Sequence, residues 1–272
     1  MSDRVTILHL GEGESRQAWK EALADRPWES GTLIKKDGER EVWQARVLGS
    51  VVSMKVRPAE RIRAWLGTTD FARSVRATGW LLHKGFETPA VLARGVVGRH
   101  ELLINEWVDG PTLLRLLADA GDVARRRDLF EAAGRLIGRL WRSGLVNRDH
   151  KPSNLVLRSR SLDHPHLLDV GGIRKRSRDD EIKEALRYRG EYRMIARMCA
   201  SQVIEPRGVG IDVSPGDIEL LVSTVFRVET QSSAIPQTYP NLAREVLRDV
   251  NALIESHGDA TPKINPLDPP RP

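Results

Sequence analysis

The stretch NRDHKPSNLVL, residues 147–157, holds side chains whose types and spacing suit phosphoryl transfer. Asp149 could accept the proton of an attacking hydroxyl group. Asn154 and Asp169 could give oxygen ligands to a magnesium ion, and Lys55 could place a cation on nucleotide phosphates. Phosphoryl transfer depends on positioning and on stabilisation of charge more than on covalent catalysis by the protein, so these four residues would meet its main requirements.

Each position also has a simpler interpretation. Asp149 and Asn154 alone would suit a solvated turn, and Lys55 alone would suit an outward-facing strand position. Their spacing favours the chemical interpretation, because Asp149 and Asn154 stand five residues apart, as in the Asp-x-x-x-x-Asn loop of protein kinases. The triplet DVG at 169–171 follows where Asp-Phe-Gly is expected, and VSMK at 52–55 stands where kinases have Val-Ala-Ile-Lys.

The first part of the chain is predicted to form a small antiparallel sheet. Turn signals at 37–38 and 49–50 divide residues 31–56 into three strands, the last with Val52, Met54 and Val56 on one face. The other elements predicted here are a helix over 15–24, a helix over 69–84 and a strand over 101–107. In the second helix we expect Phe71, Val75, Leu81 and Leu82 to point toward a core.

Beyond residue 111 the pattern becomes mainly helical. Amphipathic helices are predicted over 112–121 and 128–144, and two short strands over 155–157 and 166–170. The second of these helices has core positions at helical spacing, namely Leu129, Ala133, Leu136, Ile137, Leu140 and Trp141. Three further helices are predicted over 180–201, 215–228 and 241–256.

These elements predict an α+β chain with a small antiparallel-sheet lobe, a mainly helical lobe, and a cleft in which a nucleotide could bind. The predicted divisions are an N-terminal extension over 1–27, the sheet lobe over 28–107, the helical lobe over 108–258 and a proline-rich tail over 259–272.

Composition narrows the classes of function. Of the 272 residues, 40% are hydrophobic, and the single cysteine excludes a disulfide framework. A net charge of +6 would attract nucleic acid, anionic lipid or phosphorylated substrates. No helix-turn-helix pattern or aromatic platform accompanies that charge, so no nucleic-acid partner is expected. The first residues match neither a secretory signal nor a membrane span, and we expect a cytoplasmic protein with peripheral contact at the inner membrane face.

The chain resembles the protein-kinase-like superfamily, and within it the bacterial lipopolysaccharide kinases, which phosphorylate Kdo or heptose sugars. The match covers roughly residues 28–200. The segment ARSVRATGWLLHKGFETPAVLARG at 72–95 is similar to that family's helix and Gly-x-x-Thr-Pro turn, and the short segment after Asp169 lacks Ala-Pro-Glu. The resemblance implies a two-lobed protein-kinase-like fold and a transfer of phosphate from ATP, with Mg²⁺, to a sugar hydroxyl.

The resemblance also implies roles for individual residues. Asp149 would be the catalytic base, with Lys151 beside it as a second catalytic residue. Asn154 and Asp169 would bind magnesium. The nucleotide would be bound by Lys55, Gly38, Glu106 and Trp107.

Three positions depart from the kinase pattern. Asn147 replaces the usual histidine of the loop, and the glycine-rich phosphate loop is reduced to Gly38. Ser74 stands where kinases have the helix glutamate that pairs with the phosphate-binding lysine. Asp70 or Glu60 could take the place of that glutamate.

Three functions remain open: a kinase of a lipid-linked sugar or another small hydroxyl compound, a protein Ser/Thr kinase, and a pseudokinase that binds or scaffolds. The missing Ala-Pro-Glu platform argues against a peptide acceptor, and the retained polar positions argue against a pseudokinase. A run of basic residues follows the proposed magnesium aspartate, namely Arg174, Lys175, Arg176 and Arg178. This run favours a negatively charged sugar as the acceptor, and it also favours contact with an anionic membrane.

Overall fold

The computed structural model describes residues 4–158, 162, 164–175, 184–227 and 239–257. The chain forms two compact units that divide after Asp109. The first contains the larger sheet, and the second is mainly helical. The predicted α+β class, with a small antiparallel sheet followed by a helical part, is therefore confirmed.

The first unit is built on one antiparallel sheet of six strands in the order β1-β5-β6-β4-β3-β2. Its strands are β1 Val5–Leu10, β2 Thr32–Asp37, β3 Arg40–Val47, β4 Ser50–Pro58, β5 Val91–Val97 and β6 His100–Glu106. Its helices are α1 Arg16–Ala24, α2 Arg61–Trp65 and α3 Asp70–His83.

The N-terminal residues are part of this unit, in contrast to the extension predicted over 1–27. β1 is an edge strand that pairs antiparallel with β5, a strand that the sequence patterns also missed. Trp19 and Leu23 of α1 are buried in the same core as Val52 and Met54. The described residues from 4 onward therefore contribute both a strand and core side chains, and no division lies near residue 27.

The two faces of β4 differ in their environment. Val52, Met54 and Val56 are buried in the main core, as predicted from their alternation. The opposite face, which carries Lys55 and its cross-strand neighbour Leu103, is covered by α3.

Helix α3 packs on this face through Phe71 and Val75, which contact Leu103 and Val91. Leu81 is buried as predicted, but the prediction for Leu82 is wrong, since its side chain is 46% exposed. One residue beyond Leu81 is rotated by 100° around the helix and leaves the buried face.

A buried ionic network fixes the start of α3. Glu101 is fully buried and accepts hydrogen bonds from Arg57 at 2.6 and 3.0 Å and from Arg94 at 3.0 Å. Thr69, the N-cap of α3, donates to the same carboxylate at 2.8 Å. Thr69 therefore ties the start of α3 to a buried ionic cluster, in which removal of Glu101 would leave two arginines without their buried partner.

The second unit combines five helices with two small strand pairs among the described residues. Its helices are α4 Leu113–Ala118, α5 Val123–Arg142, α6 Glu184–Gly208, α7 Pro215–Arg227 and α8 Tyr239–His257. Its strands are β7 Leu145–Asn147, β8 Leu155–Val156, β9 His166–Leu167 and β10 Ile173–Lys175. The predicted pairing of the two short strands is confirmed by β8 and β9.

Helix α5 forms the centre of this unit. All six of its predicted core side chains are buried. Asp122 caps its start by accepting the N–H of Arg125 at 2.7 Å. Gly134 and Gly138 face the backbone of α7, where an added Cβ would lie 2.7 and 2.6 Å from carbonyl oxygens. These glycines let the two helices approach closely.

Several predicted features lie outside the described residues: Arg176, Arg178, the first residues of the helix predicted from 180, and the proline-rich tail. No helix in the described part of the chain is long and apolar enough to cross a membrane.

Candidate functional site

The loop 147–154 runs from the last residue of β7 through a 3₁₀ turn over Pro152–Asn154. β7 pairs antiparallel with β10, so that Asn147 lies opposite Ile173. The N–H of Arg148 also donates to the carbonyl of Gly172 at 3.2 Å. The loop is therefore attached directly to the segment that follows Asp169.

Asn147 shapes the loop from the position where kinases have histidine. Its side-chain oxygen accepts the N–H of Asp149 at 3.1 Å, and its own N–H lies 3.3 Å from the sulfur of Met198. An added Cβ on Gly172 would lie 2.8 Å from the same side-chain oxygen. A buried amide thus performs the backbone support expected of the histidine, and it requires a glycine opposite.

Asn154 closes the loop. Its side-chain N–H donates to the carbonyl of Asp149 at 3.1 Å, and its own carbonyl accepts the N–H of Leu168 at 2.8 Å. The first bond fixes the orientation of the amide and leaves its side-chain oxygen for another partner. The second bond brings Asp169, the next residue along the chain, to the same end of the unit.

Asp169 has a backbone conformation that few residues other than glycine adopt, with φ 47° and ψ 57°. Such a conformation typically costs about 1–3 kcal/mol and tends to occur at functional positions. The turn after it is held by Arg174, whose guanidinium donates to the carbonyls of Gly171 and Ile173 at 2.9 and 2.7 Å.

Lys151 and Asp149 form an ion pair of 2.8 Å, with 48% and 41% of their side chains exposed. Burial works to lower the pKa of Lys151, but the hydrogen bond and charge of Asp149 and the charges of Glu205 and Asp169 outweigh it and raise that pKa. Lys151 is thus a permanent cation among three carboxylates.

Glu205 of α6 is a site residue that sequence reasoning missed. Its carboxylate accepts the N–H of Ser153 at 2.9 Å and the hydroxyl of Ser153 at 2.6 Å. Burial raises the pKa of Glu205 and the charge of Asp149 adds to this, against the two bonds from Ser153 and the charge of Lys151. No local pattern could have identified Glu205, because it lies 52 residues from Ser153.

His150 points away from the exposed part of the loop and is fully buried. Its carbonyl accepts a 2.8 Å bond from Gln202 of α6. Burial lowers the pKa of His150 to about 4, although the charge of Asp149 opposes this. A neutral His150 therefore anchors the loop in the interior while Asp149 and Lys151, on either side of it, stay accessible.

The donor set fits a magnesium ion. Asn154 offers an amide oxygen and Asp169 a carboxylate, which are the hard oxygen ligands this ion prefers. No group of three or more His, Cys, Asp or Glu side chains among the described residues could hold a metal alone. Phosphate oxygens of a nucleotide would therefore be needed to complete the coordination.

The predicted nucleotide-binding residues lie in the first unit. Lys55 is half-buried on β4, and Gly38 forms the exposed turn between β2 and β3 with φ 60°. Glu106 ends β6 and accepts the N–H of Ala90 at 3.0 Å, while the indole N–H of Trp107 donates to Asp109 at 2.6 Å.

The two acidic residues predicted as partners for Lys55 are both engaged with arginines. Asp70 pairs with Arg40 at 2.8 Å and also with Arg73. Glu60 pairs with Arg63 at 2.5 Å. Ser74, which the sequence spacing predicts at the position of the kinase glutamate, is buried and donates to the carbonyl of Asp70 at 3.1 Å.

Similarity to known protein sequences supports a relationship to protein-kinase-like proteins. No family model matches the chain. The serine/threonine-protein kinases PknA of Mycobacterium tuberculosis and of Mycobacterium bovis are each 30% identical to it over 132 residues. The match covers 46% of this chain and 31% of each relative, so the chain spans about a third of the length of the curated relatives it matches. The similarity supports a relationship to protein-kinase-like proteins and does not single out the lipopolysaccharide kinases.

Proposed function

We propose that this protein is an ATP- and Mg²⁺-dependent phosphotransferase that acts on a sugar hydroxyl, of the kind found in lipid-linked saccharides. The observation that carries the proposal is the loop 147–154, in which Asn147 and Asn154 hold Asp149 while the carbonyl of Asn154 also accepts the N–H of Leu168, the residue before Asp169. In this proposal Asp149 accepts the proton of the acceptor hydroxyl. Lys151 neutralises charge on the transferred phosphate, and Asn154 and Asp169 hold magnesium.

The register of the first unit supports ATP as the donor. Glu106 lies opposite Val52 on β4, and Lys55 is three residues farther along that strand. At about 3.3 Å per residue this separation is about 10 Å, comparable with the length from the base to the phosphates of a nucleotide. Gly38 lies beyond the Lys55 end of the strand, where the phosphates would be.

A small acceptor is favoured by the short connection after the magnesium aspartate. Only 14 residues separate Asp169 from Glu184, where α6 begins, and this interval lacks Ala-Pro-Glu. A peptide-binding platform would need more chain. Lys175 is exposed at the end of β10, where its positive charge would attract an anionic sugar.

A protein Ser/Thr kinase is the second candidate, because the curated relatives carry that name. The same loop chemistry would serve both acceptors, so the two candidates differ only in the acceptor. A pseudokinase would bind ATP without transferring phosphate.

The test is transfer from radiolabelled ATP with magnesium to a panel of acceptors: phosphorylated sugars, lipid-linked saccharides and general protein substrates. Asp149→Asn should retain ATP binding and lower transfer by about two to four orders of magnitude, the usual contribution of a positioned base. The matched control is Asp128→Asn, an exposed aspartate on α5, which should transfer at the wild-type rate.

Efficient labelling of proteins with no labelling of saccharides would replace the sugar proposal with the protein-kinase candidate. Transfer by Asp149→Asn within a factor of a few of the wild-type rate would remove Asp149 from the mechanism.

A further inference from the structure

Helix α2 exposes an unusual amount of apolar surface. Among the described residues, seven large apolar side chains are exposed, and three of the four most exposed belong to this short helix and its C-cap. Trp65 is 77% exposed, Ile62 76% and Leu66 58%. An exposed tryptophan beside two exposed aliphatic side chains is a common sign of an interaction surface.

These three side chains lie on one face of α2. Trp65 and Leu66 are three and four residues after Ile62, the spacing that places side chains next to each other on a helix. Ala64, on the opposite face, is buried against the rest of the unit. We call the exposed face, made of Ile62, Trp65 and Leu66, the α2 apolar face.

Arginines border this face on both sides. Arg61 and Arg63 are each rotated by 100° from Ile62, in opposite directions, and both are exposed. Arg61 donates to the carbonyl of Gly98 at 3.0 Å, which holds its charge beside the helix. Arg76 donates to the carbonyl of Gly67 at 2.8 Å and so lies next to the end of the same helix.

The charge around the face is positive. The exposed or half-buried arginines in contact with α2 and its flanks are Arg61, Arg63, Arg73, Arg76 and Arg99, against two carboxylates, Glu60 and Asp70. Glu60 pairs with Arg63 and Asp70 with Arg73, so Arg61, Arg76 and Arg99 make up the excess of positive charge. An anionic surface would therefore be attracted to this part of the unit.

We infer that α2 docks the protein on an anionic lipid surface, with the α2 apolar face inserted among the lipid head groups and the arginines on phosphates. An exposed face with tryptophan, two aliphatic side chains and flanking arginines has the chemistry of an interfacial helix. The face exposes only on the order of 400 Å², less than a stable protein interface needs from one partner, and so favours lipid over a protein occupant. The α2 apolar face belongs to the first unit and the loop 147–154 to the second, and docking on lipid does not depend on which acceptor is used.

The test is sedimentation of the full chain with vesicles of phosphatidylcholine alone or with about one third phosphatidylglycerol. Wild-type protein should bind the anionic vesicles and not the neutral ones, and added salt should weaken binding because it screens the arginines. The variant Ile62→Ser/Trp65→Ser/Leu66→Ser should bind at least about tenfold more weakly, because its inserted apolar area is lost. Leu82→Ser, an exposed leucine of the same unit, is the control and should bind as wild type.

Two further variants separate insertion from simple charge attraction. Trp65→Phe keeps the apolar face and should bind as wild type, but should lose most of the fluorescence quenching that brominated lipids cause in the wild type. Arg63→Gln should weaken binding more than Arg46→Gln, an exposed arginine on β3. Because these side chains are exposed, unfolding temperatures close to wild type should show that the variants fold.

Three results would overturn the inference: no binding of wild type to anionic vesicles, equal binding by the triple serine variant, or unchanged quenching in Trp65→Phe. A concentration-dependent dimer that forms without vesicles and disappears in the triple variant would assign the face to self-association instead.

Discussion

Replacement of His150 tests whether the loop 147–154 is anchored by a neutral buried imidazole. Its pKa falls from the ordinary value of 6.5 to about 4 because the side chain is buried. In the unfolded chain the imidazole of His150 therefore takes up a proton near pH 6.5. In the folded chain it stays neutral until the pH approaches about 4. The stabilisation is present above pH 6.5 and is lost as the pH falls toward 4.

The size of this loss follows from the two pKa values. At about pH 5 the unfolded imidazole is almost fully protonated and the folded one is not, which removes about 2 kcal/mol of unfolding free energy from the wild type. The full loss, below the lower pKa, would be about 3 kcal/mol. His150→Leu keeps a side chain of similar volume and cannot titrate, so this part of the pH dependence should disappear.

The assay is urea unfolding followed by far-UV circular dichroism at about pH 7.5 and about pH 5. Between these values the wild type should lose about 2 kcal/mol more than His150→Leu. At the higher pH the leucine variant should lose about 1–2 kcal/mol relative to wild type, because the substitution removes the Nδ1 atom that lies 3.4 Å from the side-chain nitrogen of Asn147, whereas Nε2 has no hydrogen-bond partner among the described residues. His83→Leu, at an exposed position of α3, is the control: it measures how the loss of an exposed histidine changes the pH dependence of the unfolding free energy.

Equal losses in the wild type and in His150→Leu, after correction with the control, would refute the neutral-anchor reasoning. An NMR titration that places the His150 pKa near 6.5 would refute it directly.

Three other perturbations test the site. Asn154→Ala and Asp169→Ala should each weaken binding of ATP with magnesium far more than binding of ATP alone, with the larger effect for the charged ligand; calorimetric titrations with equal losses under both conditions would contradict the metal role. Glu205→Ala and Ser153→Ala should couple by about 1–2 kcal/mol in a double-mutant cycle of unfolding free energies, and additive effects would mean that the 2.6 Å bond contributes little. Gly172→Ala should cost about 1–3 kcal/mol and reduce transfer, because the new methyl group would lie 2.8 Å from an amide oxygen of the loop; an active variant of wild-type unfolding temperature would show that the loop can move aside.

Much of the second unit could be predicted from the sequence because its signals are local. The six core positions of α5 follow the helical period over one continuous segment, and all are buried. The loop 147–154 was recognisable for the same reason, since Asp149 is held by Asn147 and Asn154, only two and five residues away. Short-range spacing is sufficient to identify such contacts.

The first unit shows where local patterns fail. β1 joins the sheet only by pairing with β5, some 90 residues later. No residue near its short apolar run therefore indicates that this run pairs with another strand. From its spacing, Leu82 could lie either in the apolar face of α3 or just outside it. Only the placement of α3 on the sheet leaves Leu82 exposed.

Local sequence patterns were therefore sufficient to predict the α+β class, most of the helices and the proximity of Asp149 and Asn154, because these depend on periodicity and on contacts between near neighbours. The tertiary structure decided the rest. Packing of distant segments brings Glu205 to Ser153 and Thr69 to Glu101, and it turns the apolar face of α2 toward solvent. These features depend on which segments pack together in the folded chain. Because the segments lie far apart in sequence, no local pattern of residues predicts their contact.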